Sequence, residues 1–253
     1  QYLDSEFEQT EVSADDLAVL QYTGGTTGLP KGAMLTHRNI ISNVHMLKQW
    51  SGAEQAEERV LAVLPMFHSY GMTVSMMYAI ANGGELILLP RFVPSMVIDA
   101  FKEFKPTFFP GIPSIYQALA KYMKKKNITI DGLRDCISGA APLAMEVKHM
   151  FEEQTGGTLV EGYGLSEASP VTHCNPLRSP VREGSIGMPL PGTLAKIVDM
   201  ETHEDLPLGE KGELLVKGPQ VMKGYWKNDE ATKDCIKDGW LFTGDVAKMD
   251  EDG

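Results

Sequence analysis

Cysteine is scarce. The three present in 253 residues, Cys136, Cys174 and Cys235, are an odd number without the short spacings of a metal site. They build no disulfide framework and fit a reduced, cytoplasmic setting. Long apolar runs are also missing: none approaches the roughly 20 residues that a membrane-spanning helix needs, and no secretory leader is visible. Basic residues are outnumbered. Twenty-three Lys and Arg against 34 Asp and Glu leave a formal net charge of −11, which speaks against nonspecific nucleic-acid binding and favours solubility. The single basic run, Lys121 with Lys124, Lys125 and Lys126, ends a predicted helix, where positive charge meets the negative end of the helix dipole. The chain opens on Gln1-Tyr2 and stops at Asp250-Glu251-Asp252-Gly253, so a piece of a longer protein is expected.

Glycine and threonine, by contrast, are concentrated at one place. Tyr22–Gly32 reads Y-T-G-G-T-T-G-L-P-K-G, behind a short apolar run at Leu17–Leu20 that predicts a buried strand. Beyond it, Thr36 can cap a helix whose apolar residues Ile40, Ile41, Val44, Leu47 and Trp50 recur at helical spacing. A glycine-rich strand-to-helix turn lets several backbone N–H groups approach an anion without steric obstruction. Threonine hydroxyls add donors, and Lys31 adds a point charge suited to phosphate oxygens. The pattern is not a Walker A, because Pro30 precedes Lys31 and Gly32 follows it. An ordinary Gly/Thr-rich surface turn is the alternative at this point.

Up to about residue 180, short apolar runs at Val60–Leu64, Glu85–Leu89, Thr107–Phe109, Cys136–Ser138 and Thr158–Val160 alternate with helix-like segments. Those segments are Ser95–Lys105, Ser114–Lys126 and Leu143–Gln154, the last stopped by Gly156-Gly157. Such alternation predicts an α/β fold with a largely parallel sheet flanked by helices. After 181 the texture changes to short β-rich runs such as Leu194–Val198 and Glu213–Lys217, punctuated by Pro and Gly and without long helical patterns. The expected organisation is an α/β unit over 1–180 and a small β-rich subdomain over 181–253, joined by a linker at Pro176–Pro180.

Four further segments stand out, in this order. Leu64–Gly71 is L-P-M-F-H-S-Y-G and Gly162–Glu167 is G-Y-G-L-S-E. Gly212-Glu213-Leu214 is followed by Gly224-Tyr225-Trp226, and Trp240–Asp245 is W-L-F-T-G-D. With Tyr22–Gly32 they resemble, in order, the signatures of the adenylate-forming superfamily, which includes acyl-CoA synthetases, aryl-CoA ligases and luciferases. The resemblance implies a truncated large amino-terminal domain of an acyl-CoA synthetase, with a small lid domain expected beyond residue 253. It also implies a reaction. A carboxylic acid attacks the α-phosphate of ATP, pyrophosphate leaves, and the thiol of coenzyme A then displaces AMP from the acyl-adenylate. Mg²⁺ is the implied metal.

Residue by residue, Thr23, Gly24, Gly25, Thr26, Thr27, Gly28 and Lys31 match the superfamily loop that holds the β- and γ-phosphates, with Gly24 where many members carry serine. By the same resemblance Tyr163, between Gly162 and Gly164, stacks on adenine, Ser166 bonds the α-phosphate and Glu167 ligates Mg²⁺. A hydroxyl beside a carboxylate suits a hard, oxygen-liganded cation that bridges phosphates. Read without the resemblance, Ser166-Glu167 is a helix start. Asp245 corresponds to the acceptor of the ribose hydroxyls, and a lone aspartate after glycine is otherwise a turn residue. Gly139, Ala140 and Ala141 resemble the segment that lines the adenine and acyl pockets. His68 matches the position bordering the acyl site. It is expected to line the pocket rather than act as a base, because a carboxylate nucleophile is already ionised at neutral pH. Met72, Met76 and Met77 are either an adaptable wall for an alkyl chain or core filling.

The acyl motif Met66–Gly71 carries no aspartate to hold a substrate ammonium, which sets the chain apart from amino-acid-activating relatives. Phe108–Tyr116 resembles bacterial long-chain fatty acid–CoA ligases most. A fatty acid is therefore the expected substrate, with a coumarate-type aryl acid second. Peripheral membrane association of the intact protein and the chain's oligomeric state are left open by these residues.

Overall fold

Two strands flank the glycine loop. The computed structural model describes residues 10–23, 30–179 and 181–253. β1 (Leu17–Thr23) and β2 (Lys31–Thr36) pair antiparallel, with Thr23 opposite Lys31. α1 (His37–Ser51) follows at once, capped by Thr36 in a capping box with Asn39 and ended by Gly52 in the left-handed conformation. The loop is therefore not a strand-to-helix turn; it closes a hairpin, and the helix starts one strand later. No period-two signal marks β2, because Gly32, Ala33, Leu35 and Thr36 are all buried and only Met34 between them is half-buried. On α1 the buried apolar residues are Ile40, Val44, Met46 and Leu47, whereas Ile41 is 53% exposed.

The large sheet is built from the alternation. It comprises β3 (Arg59–Ala62), β4 (Glu85–Leu88), β5 (Phe108–Gly111), β6 (Asp135–Ser138), β7 (Thr158–Gly164), β8 (Val171–Cys174) and β9 (Met188–Pro189). Their spatial order among the described residues is β4-β3-β5-β6-β7-β8-β9. Pairings are parallel from β4 to β7 and antiparallel from β7 to β9. Successive strand residues serve opposite faces, as a sheet covered on both sides requires. Leu61, Phe109, Cys136 and Leu159 pack beneath α3 (Pro94–Phe104), α4 (Pro113–Lys126) and α5 (Met145–Thr155). Val60, Phe108, Ile137 and Val160 meet α1, the π-helical segment Gly71–Met77 and α2 (Tyr78–Ala81) on the other face.

A second sheet follows. β10 (Leu194–Val198), β11 (Gly212–Lys217), β12 (Ile236–Lys237) and β13 (Trp240–Ala247) pair antiparallel in the order β10-β11-β13-β12. Between β11 and β12 lies the seven-residue helix Asp229–Cys235, absent from the sequence reading because none of its residues is buried and it has no apolar face to display. Residues 222–226 run beside β2 through one isolated antiparallel bridge, Ala33 with Tyr225: the Met34 and Trp226 amides each donate across the gap at 2.8 Å, to Gly224 and Gly32. The hairpin, this segment and the small sheet share a third apolar cluster, which includes Met72, Met76 and Met77.

The stretch expected as a linker is anchored instead. Leu177 is buried, and Arg178 donates to Asp135 Oδ2 at 2.7 Å as well as to Oδ1. Arg134 donates to the same carboxylate at 2.7 Å and to Glu58, so two carboxylates with no solvent exposure share two guanidinium groups. Pro180 lies outside the described residues. Cys136 and Cys174 are buried and Cys235 is half-buried, all as free thiols. Among the described residues no helix is long and apolar enough to cross a membrane.

Candidate active site

The large sheet changes direction once. From β3 the chain passes to β4 on one side and then to β5 on the other. At such a switch point the loops beyond the carboxyl ends of the strands diverge and leave a crevice. A cleft of about 560 Å³ opens there, walled by Leu64, Pro65 and His68 beyond β3, Ile112 beyond β5, Gly139 and Ala140 beyond β6, and Gly162 to Ser166 along β7 and its end. β7 runs on to Gly164, so the Gly-Tyr-Gly portion of G-Y-G-L-S-E is strand and only Ser166–Ala168 forms a single 3₁₀ turn. Glycines along the wall give room: a Cβ on Gly71 would stand 2.3 Å from the Pro65 carbonyl oxygen. A Cβ on Gly164 would stand 2.1 Å from the Pro170 carbonyl oxygen, and one on Gly139 would press the Tyr70 ring at 3.2 Å. Ala140 next to it holds a φ of +68°, rarely adopted by a residue with a side chain.

Two polar groupings flank the cleft. In the first, the Tyr163 hydroxyl donates to Asp245 Oδ2 at 2.5 Å, joining β7 to β13 across the two sheets. Burial and then the Asp245 carboxylate push the phenol up, so it stays a neutral donor at physiological pH. Asp245 is exposed, and its own amide donates to Thr243 Oγ1 at 3.1 Å. In the second, Ser166 Oγ lies 3.4 Å from Ser69 Oγ, and Glu167 Oε1 accepts a hydrogen bond from the Tyr225 hydroxyl at 2.8 Å. The Lys31 ammonium sits 5.1 Å from the centre of the Tyr225 ring. Thr23 stands at the base of the glycine loop, its hydroxyl donating to the Lys31 carbonyl at 3.4 Å.

The residues singled out from the sequence thus divide. His68, Gly139, Ala140, Gly162, Tyr163, Gly164 and Ser166 line one cleft. Lys31, Glu167 and Asp245 stand at its margins through Tyr225 and Tyr163. Ala141 is exposed and outside the lining, and Gly24, Gly25, Thr26, Thr27 and Gly28 lie outside the described residues. Met72, Met76 and Met77 contribute to the third apolar cluster and not to the cleft wall, which favours the core-filling alternative.

The profile of the AMP-binding enzymes matches residues 2–226. The chain belongs to that family. It is 52% identical over 239 residues to a long-chain-fatty-acid–CoA ligase of Bacillus subtilis, covering 94% of this chain and 43% of the relative. A probable 4-coumarate–CoA ligase of Dictyostelium discoideum is 39% identical over 242 residues, covering 94% and 44% respectively. Among solved structures, ATP-bound MatB of Rhodopseudomonas palustris superposes with a TM-score of 0.89 at 35% identity, covering 98% of this chain and 49% of that one. The chain therefore spans less than half the length of the curated relatives it matches.

Among the described residues no cluster of three His, Cys, Asp or Glu side chains forms a protein-only cage. One oxygen of Glu167 is committed to Tyr225, leaving Oε2 for a hard cation. A single carboxylate with water and phosphate oxygens is the donor set that Mg²⁺ takes with nucleotides. The residues fit that ion.

Two site residues escaped the sequence reading. Tyr225 belongs to Gly224-Tyr225-Trp226, to which the sequence assigned no site role, and nothing in spacing alone could show that its hydroxyl reaches a residue 58 positions earlier. The second is His173, which no motif marks. It lies opposite Tyr163 in the β7–β8 register with ring centres 6.1 Å apart, and its Nδ1 is 2.9 Å from Thr172 Oγ1. Burial lowers its pKa to about 4, so it is a neutral wall behind the tyrosine.

Proposed function

We propose that the intact protein is a fatty acid–CoA ligase and that this chain carries its nucleotide and acyl sites. In the proposed reaction a fatty acid carboxylate oxygen attacks the α-phosphorus of ATP, the bond to the β-phosphate oxygen breaks, and pyrophosphate leaves. The thiol of coenzyme A then displaces AMP from the acyl-adenylate. The observation that carries this reading is the short run Tyr163–Glu167. It meets the exposed Asp245 carboxylate through Tyr163, and the lysine of the glycine loop through Glu167 and Tyr225, beside one apolar cleft. Adenine would lie against Tyr163 and the ribose hydroxyls would donate to Asp245. Ser166 would bond the α-phosphate, and Lys31 with the glycine loop would hold the outer phosphates. When bound, Mg²⁺ supplies neutralisation of phosphate charge, with Glu167 as its protein ligand. His68 would border the acyl group, and the apolar side chains Leu64, Ile112 and Ile137 would exclude water from the mixed anhydride.

The division into 1–180 and 181–253 is part of the same proposal, with β9 as the strand that crosses it. For this chain by itself we propose nucleotide binding with weak turnover. The aryl alternative is kept because a coumarate-type ligase is among the relatives. The test pairs two assays. Isotope exchange between pyrophosphate and ATP with palmitate should be strong in the intact protein and slow in this chain, while calorimetry shows ATP binding to both. Robust exchange by this chain sinks the binding-only reading. A faster thioester product from coumarate than from any alkyl acid in the intact protein overturns the fatty acid assignment.

A further inference from the structure

Tyr225 touches both charged groups at the phosphate margin. Its place is set by backbone rather than by side-chain fit. Ala33 and Tyr225 pair antiparallel, flanked by the Met34-to-Gly224 and Trp226-to-Gly32 hydrogen bonds at 2.8 Å, so Tyr225 is held in register with the strand that Lys31 begins. The Tyr225 amide donates to Thr232 Oγ1 at 2.8 Å, and the Met222 amide donates to the Glu167 carbonyl at 2.7 Å. The same segment thus grips β2 on one side and the Ser166–Ala168 turn on the other. Tyr225 itself is 8% exposed, with its hydroxyl on Glu167 Oε1 and its ring face beneath the Lys31 ammonium.

We propose that Tyr225 is a positioning residue for the metal–polyphosphate complex: its hydroxyl fixes the Glu167 carboxylate so that Oε2 meets the cation, while its ring holds Lys31 beside the same phosphates. This rests on the assignment of Glu167 to the cation and Lys31 to the phosphates. A carboxylate free to rotate about its terminal torsions loses part of its affinity to ordering, and a hydrogen bond from a rigid, backbone-registered phenol removes that loss. Lysine over an aromatic face keeps its charge near the carboxylate without forming an ion pair that would compete with the cation.

The test uses this chain with ATP and with Mn²⁺ as a paramagnetic stand-in for Mg²⁺. Tyr225→Phe deletes the hydroxyl and keeps the ring. It should weaken binding of Mn²⁺–ATP, read by Mn²⁺ electron paramagnetic resonance, about tenfold, while metal-free ATP binding by calorimetry changes less than twofold. Tyr225→Leu should also lose metal-free ATP affinity, through Lys31. In the double variant Tyr225→Phe, Glu167→Gln, loss of the hydroxyl should add nothing to loss of the carboxylate. Unchanged Mn²⁺–ATP binding in Tyr225→Phe overturns the proposal, and so does an equal loss with and without metal, which marks a packing role. If Glu167→Gln alone binds Mn²⁺–ATP like the unaltered chain, the assignment of Glu167 falls first and this inference with it.

Discussion

His173 shows how a single side chain behind the cleft sets a pH dependence for the whole fold. The residue is 4% exposed and its pKa falls to about 4, because burial disfavours the imidazolium. In the unfolded chain a histidine titrates near 6.5. Above that value both states are neutral and stability is fully present. As pH falls from about 6.5 towards 4 the unfolded chain takes up a proton that the native state refuses, and stability drops. The total loss is about 3 kcal/mol, complete below pH 4. Urea titrations at pH 7, 6, 5 and 4 should show this loss, and His173→Gln should flatten it relative to the unaltered chain. Parallel pH profiles for the two proteins would contradict the assignment. At the same scale, Gly164 and Gly139 are sites where the backbone must come close to Pro170 and Tyr70, so their lack of a side chain shapes the cleft rather than frees the chain.

Among the elements, the contrast is between strands whose ends approach the cleft and strands whose other ends are clamped. The amino ends of β3 and β6 carry Glu58 and Asp135, both with no solvent exposure and held by Arg134, with Arg178 adding a second guanidinium to Asp135. Thr107, just before β5, donates to the remaining Glu58 oxygen at 2.8 Å. Removing the shared cation leaves two buried carboxylates underpaired. Arg134→Met should therefore destabilise the fold by about 3–5 kcal/mol, read as a lower urea midpoint. Arg38→Met, which breaks the exposed pair with Asp15, should leave that midpoint in place. Equal effects of the two substitutions would remove the clamp from the account of stability. The segment from Pro176 onward is part of this device. Its proline flanks read as a linker, but the deciding interaction is Arg178 with Asp135, 43 residues apart, which no local pattern displays.

For the molecule as a whole, the 2.5 Å hydrogen bond from Tyr163 to Asp245 joins the large sheet to the small one across 82 residues of sequence. A nucleotide that stacks on Tyr163 and donates its ribose hydroxyls to Asp245 would bind both sheets at once and stabilise their union. With ATP at a hundred times its dissociation constant, the stabilisation should reach about 2.7 kcal/mol. Asp245→Asn exchanges an acceptor oxygen for a donor. It should raise the dissociation constant at least tenfold, cutting the stabilisation by about 1.4 kcal/mol at that ATP concentration. Thermal denaturation with and without ATP measures the difference, and an unaltered ATP-induced shift in Asp245→Asn would overturn the ribose role. The family profile spans residues 2–226, so Asp245 on β13 lies beyond the matched stretch.

What could be read from the chain in advance was whatever repeats locally. The parallel order of the sheet followed from strand–helix alternation, because each apolar run between helix starts had to be covered on both faces. The cap at Thr36 and the stop at Gly156 depend on one or two residues each. The order of the glycine loop, the His68 segment, G-Y-G-L-S-E and the Asp245 segment was enough to suggest carboxylate activation. It was not enough to say how those segments meet. That β2 turns the loop into a hairpin, that Gly162–Gly164 is strand, and that Ala141 and the methionines stand outside the cleft were decided by packing between segments far apart in sequence. Tyr225 is the sharpest case. Its sequence neighbours mark a turn beside a strand, and only the pairing with β2 brings its hydroxyl to Glu167 and its ring to Lys31. Local preference sets which residues can form an element; the burial of shared surfaces, with every buried donor needing an acceptor, decides which elements touch.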